Sequence, residues 1–109
     1  MATLEDPGAC CPHLHEAVEL VGKRWTGAIV FVLLERRGPM RFSEIGQAVP
    51  QLSDRLLSER VKELESRGIV ERRVSSEAPV RVEYELTSMG RDLGPALREL
   101  RRWGLRYLG

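Results

Sequence analysis

The spacing of apolar residues along the chain predicts several helices and one pair of strands. Apolar residues recur three and four positions apart, as on one face of a helix, over Pro12–Gly22, Trp25–Arg36, Ser53–Arg67 and 88–108. A shorter helix is expected over Glu44–Val49, after an extended segment at Met40–Phe42. Apolar and polar residues alternate over 69–74 and 81–86, and the polar residues between them predict a turn. The pattern therefore indicates a mainly α-helical protein with one small β-hairpin.

Residues with positional preferences mark the ends of these helices. Pro12 suits a first helical turn, because its missing amide hydrogen has no intrahelical partner there, and Cys11 is then the expected N-cap. The oxygens expected to cap the later helices belong to Ser43, Ser53 and Thr87. Glycine or proline is expected to end helices at Gly22, Gly38–Pro39, Pro50 and Gly68. Two short helices with a tight turn, followed by a hairpin, are typical of a winged helix-turn-helix.

The length of 109 residues is most simply that of one domain. Within it we expect a flexible arm at 1–9, a helix-turn-helix at 43–67, a wing hairpin at 69–86 and a dimerisation helix at 88–108. The last of these is apolar around much of its circumference, which suits burial against a second copy. The alternative is a helix that packs only within its own domain.

Composition and charge set limits on partners. Hydrophobic residues make up 42% and charged residues 30% of the chain, as in folded soluble proteins. The net charge of +1 gives no overall attraction to nucleic acid, so any DNA-binding charge must be local. No apolar run approaches the roughly 18 residues of a membrane span, and no signal-peptide pattern opens the chain. A cytoplasmic protein without a membrane partner is therefore expected.

The helix predicted after Ser53 carries the main candidate for a DNA-reading surface. Three leucine and valine positions form its inner stripe, Leu57, Val61 and Leu64. The candidate DNA-binding residues are Ser53, Asp54, Arg55, Ser58, Glu59 and Lys62. Arginine bonds guanine, a carboxylate accepts from cytosine, and serine and lysine reach phosphates. The alternative is a solvated helix face with an Arg55–Glu59 ion pair, but the neighbouring short helix and hairpin favour DNA recognition.

The predicted hairpin adds a second group of polar and basic residues. Its candidate DNA-binding residues are Arg73, Ser75, Ser76 and Arg81, with Arg72 beside them. Arginines at the tip of a wing follow phosphates or enter a minor groove. The alternative is an edge hairpin whose charges provide solubility, and Glu77 near the tip slightly weakens the phosphate interpretation.

All the cysteine and histidine of the chain lies in the segment CCPHLH, Cys10 to His15. A structural zinc site needs four ligands, usually as two separated pairs, and no distal pair exists here, so no metal is predicted. Cys11 and His15 could still form half of a shared site. A thiol at a helix N-cap is made more reactive by the dipole and the unpaired amides, which makes Cys11 a redox-sensing candidate. The alternative is a small apolar residue at a helix start.

Five segments in order resemble one family. They are CPHLHEAVELVGKRWTGAIVFVLL, PMRFSEI, LSDRLLSERVKELESRGIVERRV, PVRVEYELTSMGR and ALRELRRWG. They are similar to HxlR-type winged-helix transcriptional regulators, relatives of the MarR group. The resemblance implies a dimeric bacterial DNA-binding regulator in which the helix Ser53–Arg67 enters the major groove and the loop Ser75–Val80 is the wing.

The same resemblance implies a role for the terminal helices and for the first thiol. The terminal helices would build the dimer, with the candidate dimerisation residues Leu14, Leu93, Leu97, Leu100, Trp103 and Gly104. A cysteine before a proline, matched by Cys11–Pro12, senses oxidants or electrophiles in several members. Glu59 departs from the family, in which glutamine is frequent, so the base preference does not transfer. Cys10 and His15 lie outside the family pattern.

An enzymatic function finds no support in the motifs. The chain lacks HExxH and GxSxG, and Gly22–Lys23 lacks the remaining P-loop residues. No cofactor is predicted. We therefore expect a homodimeric repressor that binds a roughly palindromic double-stranded operator and responds to an oxidant or another small molecule. The alternative is a winged-helix protein–protein interaction module that does not bind DNA.

Overall fold

The computed structural model describes residues 11–109. The helices are α1 (Pro12–Gly22), α2 (Thr26–Arg36), α3 (Phe42–Ala48), α4 (Asp54–Ser66), α5 (Ser88–Arg91) and α6 (Gly94–Tyr107). The strands are β1 (Met40–Arg41), β2 (Val70–Val74) and β3 (Val82–Leu86). This order confirms a mainly helical winged helix-turn-helix with a small sheet. The predicted arm at 1–9 and Cys10 lie outside the described residues.

The hydrophobic core lies between α2, α4 and the sheet. Central helix α2 contributes four buried apolar side chains, Ile29, Val30, Leu33 and Leu34. The predicted inner stripe of α4 is confirmed, because Leu57, Val61 and Leu64 are all buried. Ile45 from α3 and Ile69 before β2 complete the centre. The buried side chains of α3 and α4 therefore fix the helix-turn-helix on the core, and the polar face of α4 points to solvent.

The strands form one antiparallel sheet in the order β1–β3–β2. The predicted hairpin is confirmed, with Val70 opposite Leu86 and Val74 opposite Val82. Met40 pairs with Tyr84, so the expected extended segment becomes an edge strand beside β3. Two residues are too few for an alternating pattern, which is why this pairing could not be predicted.

Three of the predicted N-caps are confirmed and one is wrong. Cys11, Ser53 and Thr87 accept hydrogen bonds from the amides of Leu14, Leu56 and Gly90. The cap predicted at Ser43 is not formed, because α3 begins at Phe42, two residues before the predicted start at Glu44.

The start of α3 is stabilised by a carboxylate in place of the predicted serine. The Arg41 amide donates to Glu44 Oε1 over 2.8 Å. This bond lowers the pKa of Glu44. A carboxylate three residues into a helix reaches back to the N-cap amide, and here it takes the place of a hydroxyl cap.

The predicted helix at 88–108 is two helices rather than one. Helix α5 ends at Arg91, and α6 begins at Gly94. Pro95 accounts for the break, since its ring has no amide hydrogen and collides with the carbonyl four residues earlier. The proline instead occupies the first turn of α6, where it is tolerated.

Helix α2 ends at Arg36 as predicted but begins one residue later than predicted, and a non-glycine residue in the left-handed conformation flanks each end. Trp25 has φ 75°, so α2 begins at Thr26. Arg37 has φ 59° and follows the last residue of α2, directly before Gly38–Pro39. A side chain in this region costs roughly 1–2 kcal/mol. The neighbouring core must compensate for that cost.

The terminal helices extend beyond the winged core. The radius of gyration is 15.9 Å, whereas a compact domain of this size is expected near 13 Å. Helix α1 has no buried residue at all within its bounds. No helix in residues 11–109 combines the length and apolarity required to cross a membrane.

Candidate functional site

Helix α4 presents a polar ridge above the core. Ser53 Oγ accepts from the Leu56 amide over 3.2 Å and fixes the start of the helix. The six predicted DNA-binding residues of this segment lie on or before its outward face, Ser53, Asp54, Arg55, Ser58, Glu59 and Lys62. Five of them are exposed, and Ser58 is half-buried. The ridge therefore begins at a capped helix end with its amides and side chains accessible.

The alternative surface ion pair on this ridge is also present. Arg55 Nε lies 3.6 Å from Glu59 Oε1, and the Arg55 side chain is 91% exposed. Such an exposed pair contributes only about 0.3–0.5 kcal/mol. A bidentate arginine–guanine contact is worth about 1–3 kcal/mol of base discrimination. The free energy lost on breaking the pair is therefore smaller than the free energy of an arginine–guanine contact. The pair would not prevent Arg55 from contacting a base.

The predicted DNA-binding residues of the wing differ in exposure and in ion pairing. The Ser75 amide donates to the Arg81 carbonyl over 2.8 Å and closes the loop. Ser76 and Arg81 are exposed, and Ser75 is half-buried. Arg73 lies 3.0 Å from Glu85 Oε1 and 3.5 Å from Glu71 Oε2, so its charge is largely compensated. Arg81 is therefore better placed than Arg73 for a phosphate.

The thiol of Cys11 lies at the N-terminus of α1. Its Sγ accepts from the Leu14 amide over 3.5 Å, which makes the sulfur part of the helix cap. His13 is exposed, and His15 Nε2 lies 3.0 Å from Glu19 Oε1. In the part of the chain that is described, no three potential ligands among His, Cys, Asp and Glu gather in one place.

Three polar contacts connect α1 and the following loop to α4. Lys23 Nζ lies 2.8 Å from Glu63 Oε2, and this bond lowers the pKa of Glu63. Arg67 Nη2 lies 3.5 Å from Glu16 Oε2. Arg60 Nε donates to the Arg24 carbonyl over 2.9 Å. No sequence pattern predicts these contacts, because their partners are 36 to 51 residues apart.

The candidate dimerisation residues divide into two groups. Leu97 is buried in the core of its own chain, and Leu93 packs against that core, so neither presents a free apolar face. Both residues contribute to core packing within one chain, and their role in dimerisation stays a prediction. Leu14, Leu100 and Trp103 are exposed, and an added Cβ on Gly104 would meet nothing within 4 Å. Further exposed apolar side chains lie on or directly after the same helices, Val18, Leu105, Tyr107 and Leu108.

Comparison with known protein families identifies the family of this chain. The family described as HxlR-like helix-turn-helix matches residues 20–109. The chain belongs to the HxlR-like helix-turn-helix family. The match covers both the helix-turn-helix and the wing, so the resemblance seen in the sequence is confirmed.

Individual relatives of this HxlR-like chain are named as regulators. It is 50% identical over 98 residues to the uncharacterized HTH-type transcriptional regulator YvaP of Bacillus subtilis, with 90% of this chain and 89% of YvaP covered. It is 46% identical over 93 residues to the HTH-type transcriptional regulator YodB of the same organism, covering 85% of this chain and 81% of YodB. The chain is therefore a helix-turn-helix transcriptional regulator and not an enzyme.

Solved structures of two regulators share the fold. The reduced form of YodB from B. subtilis has a TM-score of 0.81 and 44% identity, covering 90% of this chain and 94% of that chain. YodB has also been solved after diamide treatment and with bound quinone. The redox regulator HypR in its oxidized form has a TM-score of 0.79 and 33% identity, covering 88% of this chain and 96% of that chain.

Proposed function

We propose that this HxlR-like regulator is a cytoplasmic homodimeric repressor that binds double-stranded DNA and responds to thiol-reactive compounds through Cys11. The observation that carries the proposal is the ridge of α4, whose inner face is buried while Arg55 stands in solvent. A recognition helix needs this combination, because its position must be fixed by the core while its polar face remains available to base edges.

Each element has a distinct role in DNA binding. The N-terminal part of α4 enters the major groove, where Asp54, Arg55, Ser58 and Glu59 reach base edges and Ser53 and Lys62 reach phosphates. The wing contributes Ser75, Ser76 and Arg81 to the neighbouring backbone, with Arg73 supporting the hairpin through Glu85. Because the net charge is only +1, this localised positive surface has to supply the attraction.

Dimerisation is supported by apolar surface that one chain leaves exposed. Leu14 and Val18 on α1, Leu100 and Trp103 on α6, and Leu108 directly after α6 are each more than half exposed. Clusters of exposed apolar side chains of this size are typical of interaction sites. A second copy that covered them would bring two α4 helices into one assembly. Their separation should be about 34 Å, one turn of DNA, on a roughly palindromic operator.

Thiol regulation is supported by the position of Cys11 and by the forms in which YodB and HypR have been solved. In our proposal the Cys11 thiol adds to a quinone ring carbon and its hydrogen passes to one quinone oxygen. The hydrogen on the attacked carbon then moves to the other oxygen as the ring becomes aromatic, which gives a hydroquinone thioether. The substituted sulfur then fits the cap of α1 less well. Since α1 contacts α4 through Glu16–Arg67 and Lys23–Glu63, a displaced α1 moves the recognition helix.

The DNA-binding part is tested by selecting bound fragments from a random DNA pool and measuring their affinity at several salt concentrations. We expect affinity that falls steeply as salt rises, because phosphate contacts release counterions. A protein that folds and dimerises but selects no sequence would be the interaction module without DNA binding.

The thiol part is tested on the selected DNA with benzoquinone. Quinone should release the wild-type protein and the Cys10→Ser variant but leave Cys11→Ser bound. Cys10→Ser is the matched control, because it removes the adjacent thiol. Equal release of both variants would show that Cys11 is not the sensor.

A further inference from the structure

A cavity of about 360 Å³ lies where the winged core meets α6. Its floor is apolar and consists of Leu33 and Leu34 from α2 and Leu86 from β3. Its rim carries guanidinium groups from three elements, Arg37 after α2, Arg91 in α5 and Arg98 in α6. No part of the proposed DNA or thiol site includes these residues, so the cavity has no role in the function described above.

The charge around this cavity is positive. Glu85 is the one carboxylate among the described lining residues, and its Oε1 already lies 3.0 Å from Arg73 Nη2 across the hairpin. The ion pairs found within residues 11–109 include none made by Arg37, Arg91 or Arg98. Three guanidinium groups around an apolar floor therefore lack a protein anion to neutralise them.

Local backbone features hold two of these arginines at the rim. Arg91 Nη1 donates to the Leu86 carbonyl over 2.8 Å, which fixes one edge of its guanidinium and leaves other N–H groups available. The Arg98 guanidinium folds over Gly94, where an added Cβ would lie 2.9 Å from Arg98 Nη1 and 3.4 Å from Leu34 Cδ2. The missing side chain at this buried glycine gives the guanidinium room beside the floor.

We propose that this cavity binds a small amphipathic carboxylate. Its carboxylate would be held by the rim arginines, whose planar donor groups match two carboxylate oxygens. Its apolar body would lie on the leucine floor. The volume is within the roughly 300–1,000 Å³ typical of small-molecule sites. Binding does not depend on the proposed function, but its consequence does: a ligand that bridges α2, β3 and α6 connects the winged core to the proposed dimer helix.

The test is isothermal titration of the full chain without DNA, using benzoate and hexanoate as carboxylates. Saturable binding of at least one carboxylate is expected, at about one per chain. Benzyl alcohol lacks the charge, and inorganic phosphate lacks the apolar body. Each should bind at least about tenfold more weakly than the carboxylates. Failure of both carboxylates to saturate, or phosphate binding as tight as theirs, would overturn the proposal.

Variants locate the site. Arg98→Gln and Arg37→Gly should each weaken carboxylate binding about tenfold. Glycine adopts the positive φ of Arg37 without steric cost, so Arg37→Gly should keep the fold. Its melting curve verifies that. Arg36→Gln is the matched control. It removes the same charge one residue before Arg37, but the Arg36 side chain is paired with Glu44 and does not line the cavity.

The control should change carboxylate affinity less than twofold. If Arg36→Gln weakens binding as much as Arg37→Gly does, the attraction is general and the cavity is not the site. Because these titrations contain no DNA, their failure leaves the DNA-binding proposal intact, and a gel shift on selected DNA reports on that proposal separately.

Discussion

The winged core and the terminal helices are built on different principles. In the core, α4 buries three side chains, and one of them, Leu57, is 0% exposed. In α1 no residue is buried, and Leu14 is 64% exposed. One chain therefore completes the winged core by itself, whereas the terminal helices retain apolar surface that a second copy could cover. In the proposed function, this difference places DNA reading and regulation in separate parts of a chain of 109 residues.

The contacts that hold α1 fit this division. Leu20 and Val21 at its end pack against the core, but its remaining connection to α4 is through exposed ion pairs such as Glu16–Arg67. Ion pairs of this kind contribute about 0–1 kcal/mol each. In the proposed function, a chemical change at Cys11 would therefore act on a weakly held element and reach the proposed recognition helix without disturbing the core.

The largest difference between the two regions should appear on truncating one leucine in each. Leu57→Ala should lower the free energy of unfolding by about 2–5 kcal/mol, because it leaves a cavity in the core. Leu14→Ala should change that free energy by about 0.5 kcal/mol or less in the monomer but weaken dimerisation. Urea unfolding at several protein concentrations, with sedimentation, measures both. An equal loss in the dilute monomer would remove the distinction.

Two glycines extend the same comparison to α5 and α6. An alanine Cβ at Gly90 would collide with the Ile69 carbonyl oxygen and lie 3.0 Å from Leu86 Cδ2. Because backbone has to shift, we expect Gly90→Ala to cost about 3 kcal/mol of unfolding free energy. Gly104→Ala meets open space inside α6 and should stabilise the monomer by up to about 1 kcal/mol, since alanine favours a helix over glycine. Thermal melts measure the first effect. A Gly104→Ala monomer as destabilised as Gly90→Ala would show that α6 is already packed.

Within the DNA-reading part, the ridge and the wing should differ in kind. Arg55→Ala should weaken binding to the selected site by about 1–3 kcal/mol and relax base preference at one position. Arg81→Ala should weaken binding similarly for all sequences and reduce the salt dependence by about one counterion. Fluorescence anisotropy on matched and mismatched DNA distinguishes them. If Arg55→Ala retained full specificity, Arg55 would not read a base.

The smallest effect concerns the α1–α4 connection and depends on pH. The Lys23 bond lowers the pKa of Glu63 from its ordinary value of 4.5, so it stabilises the fold above that value. This contribution is lost as pH falls through the lower pKa of the folded state. Lys23→Met should cost roughly 0.5 kcal/mol near neutral pH and nothing once Glu63 is protonated. Urea midpoints measured between neutral and acidic pH test this, and a pH-independent difference would contradict it.

Local chemistry was predictable from the sequence, and distant contacts were not. The caps at Cys11, Ser53 and Thr87 and the inner stripe of α4 depend only on neighbouring residues, and all were predicted. The break at Pro95 was missed because the apolar period continues across it. The cap at Ser43 was wrong because the helix already begins at Phe42, where the Glu44 carboxylate accepts from the Arg41 amide.

The same limit applies to the candidate site. The ridge of α4 could be predicted because a helix fixes which residues share a face. The pairing of Arg73 with Glu85 could not, because it depends on the register set by the wing loop. The contacts from Lys23 and Glu16 to α4 join residues 40 and 51 positions apart, and only the folded chain brings them together.

A hydroxyl-radical footprint on the selected DNA tests the central claim most directly. If two copies each place one α4 in the major groove, the protected regions should be related by two-fold symmetry and centred about one helical turn apart, near 34 Å. Protection of a single asymmetric site, or no protection at concentrations where the protein is a folded dimer, would contradict the account.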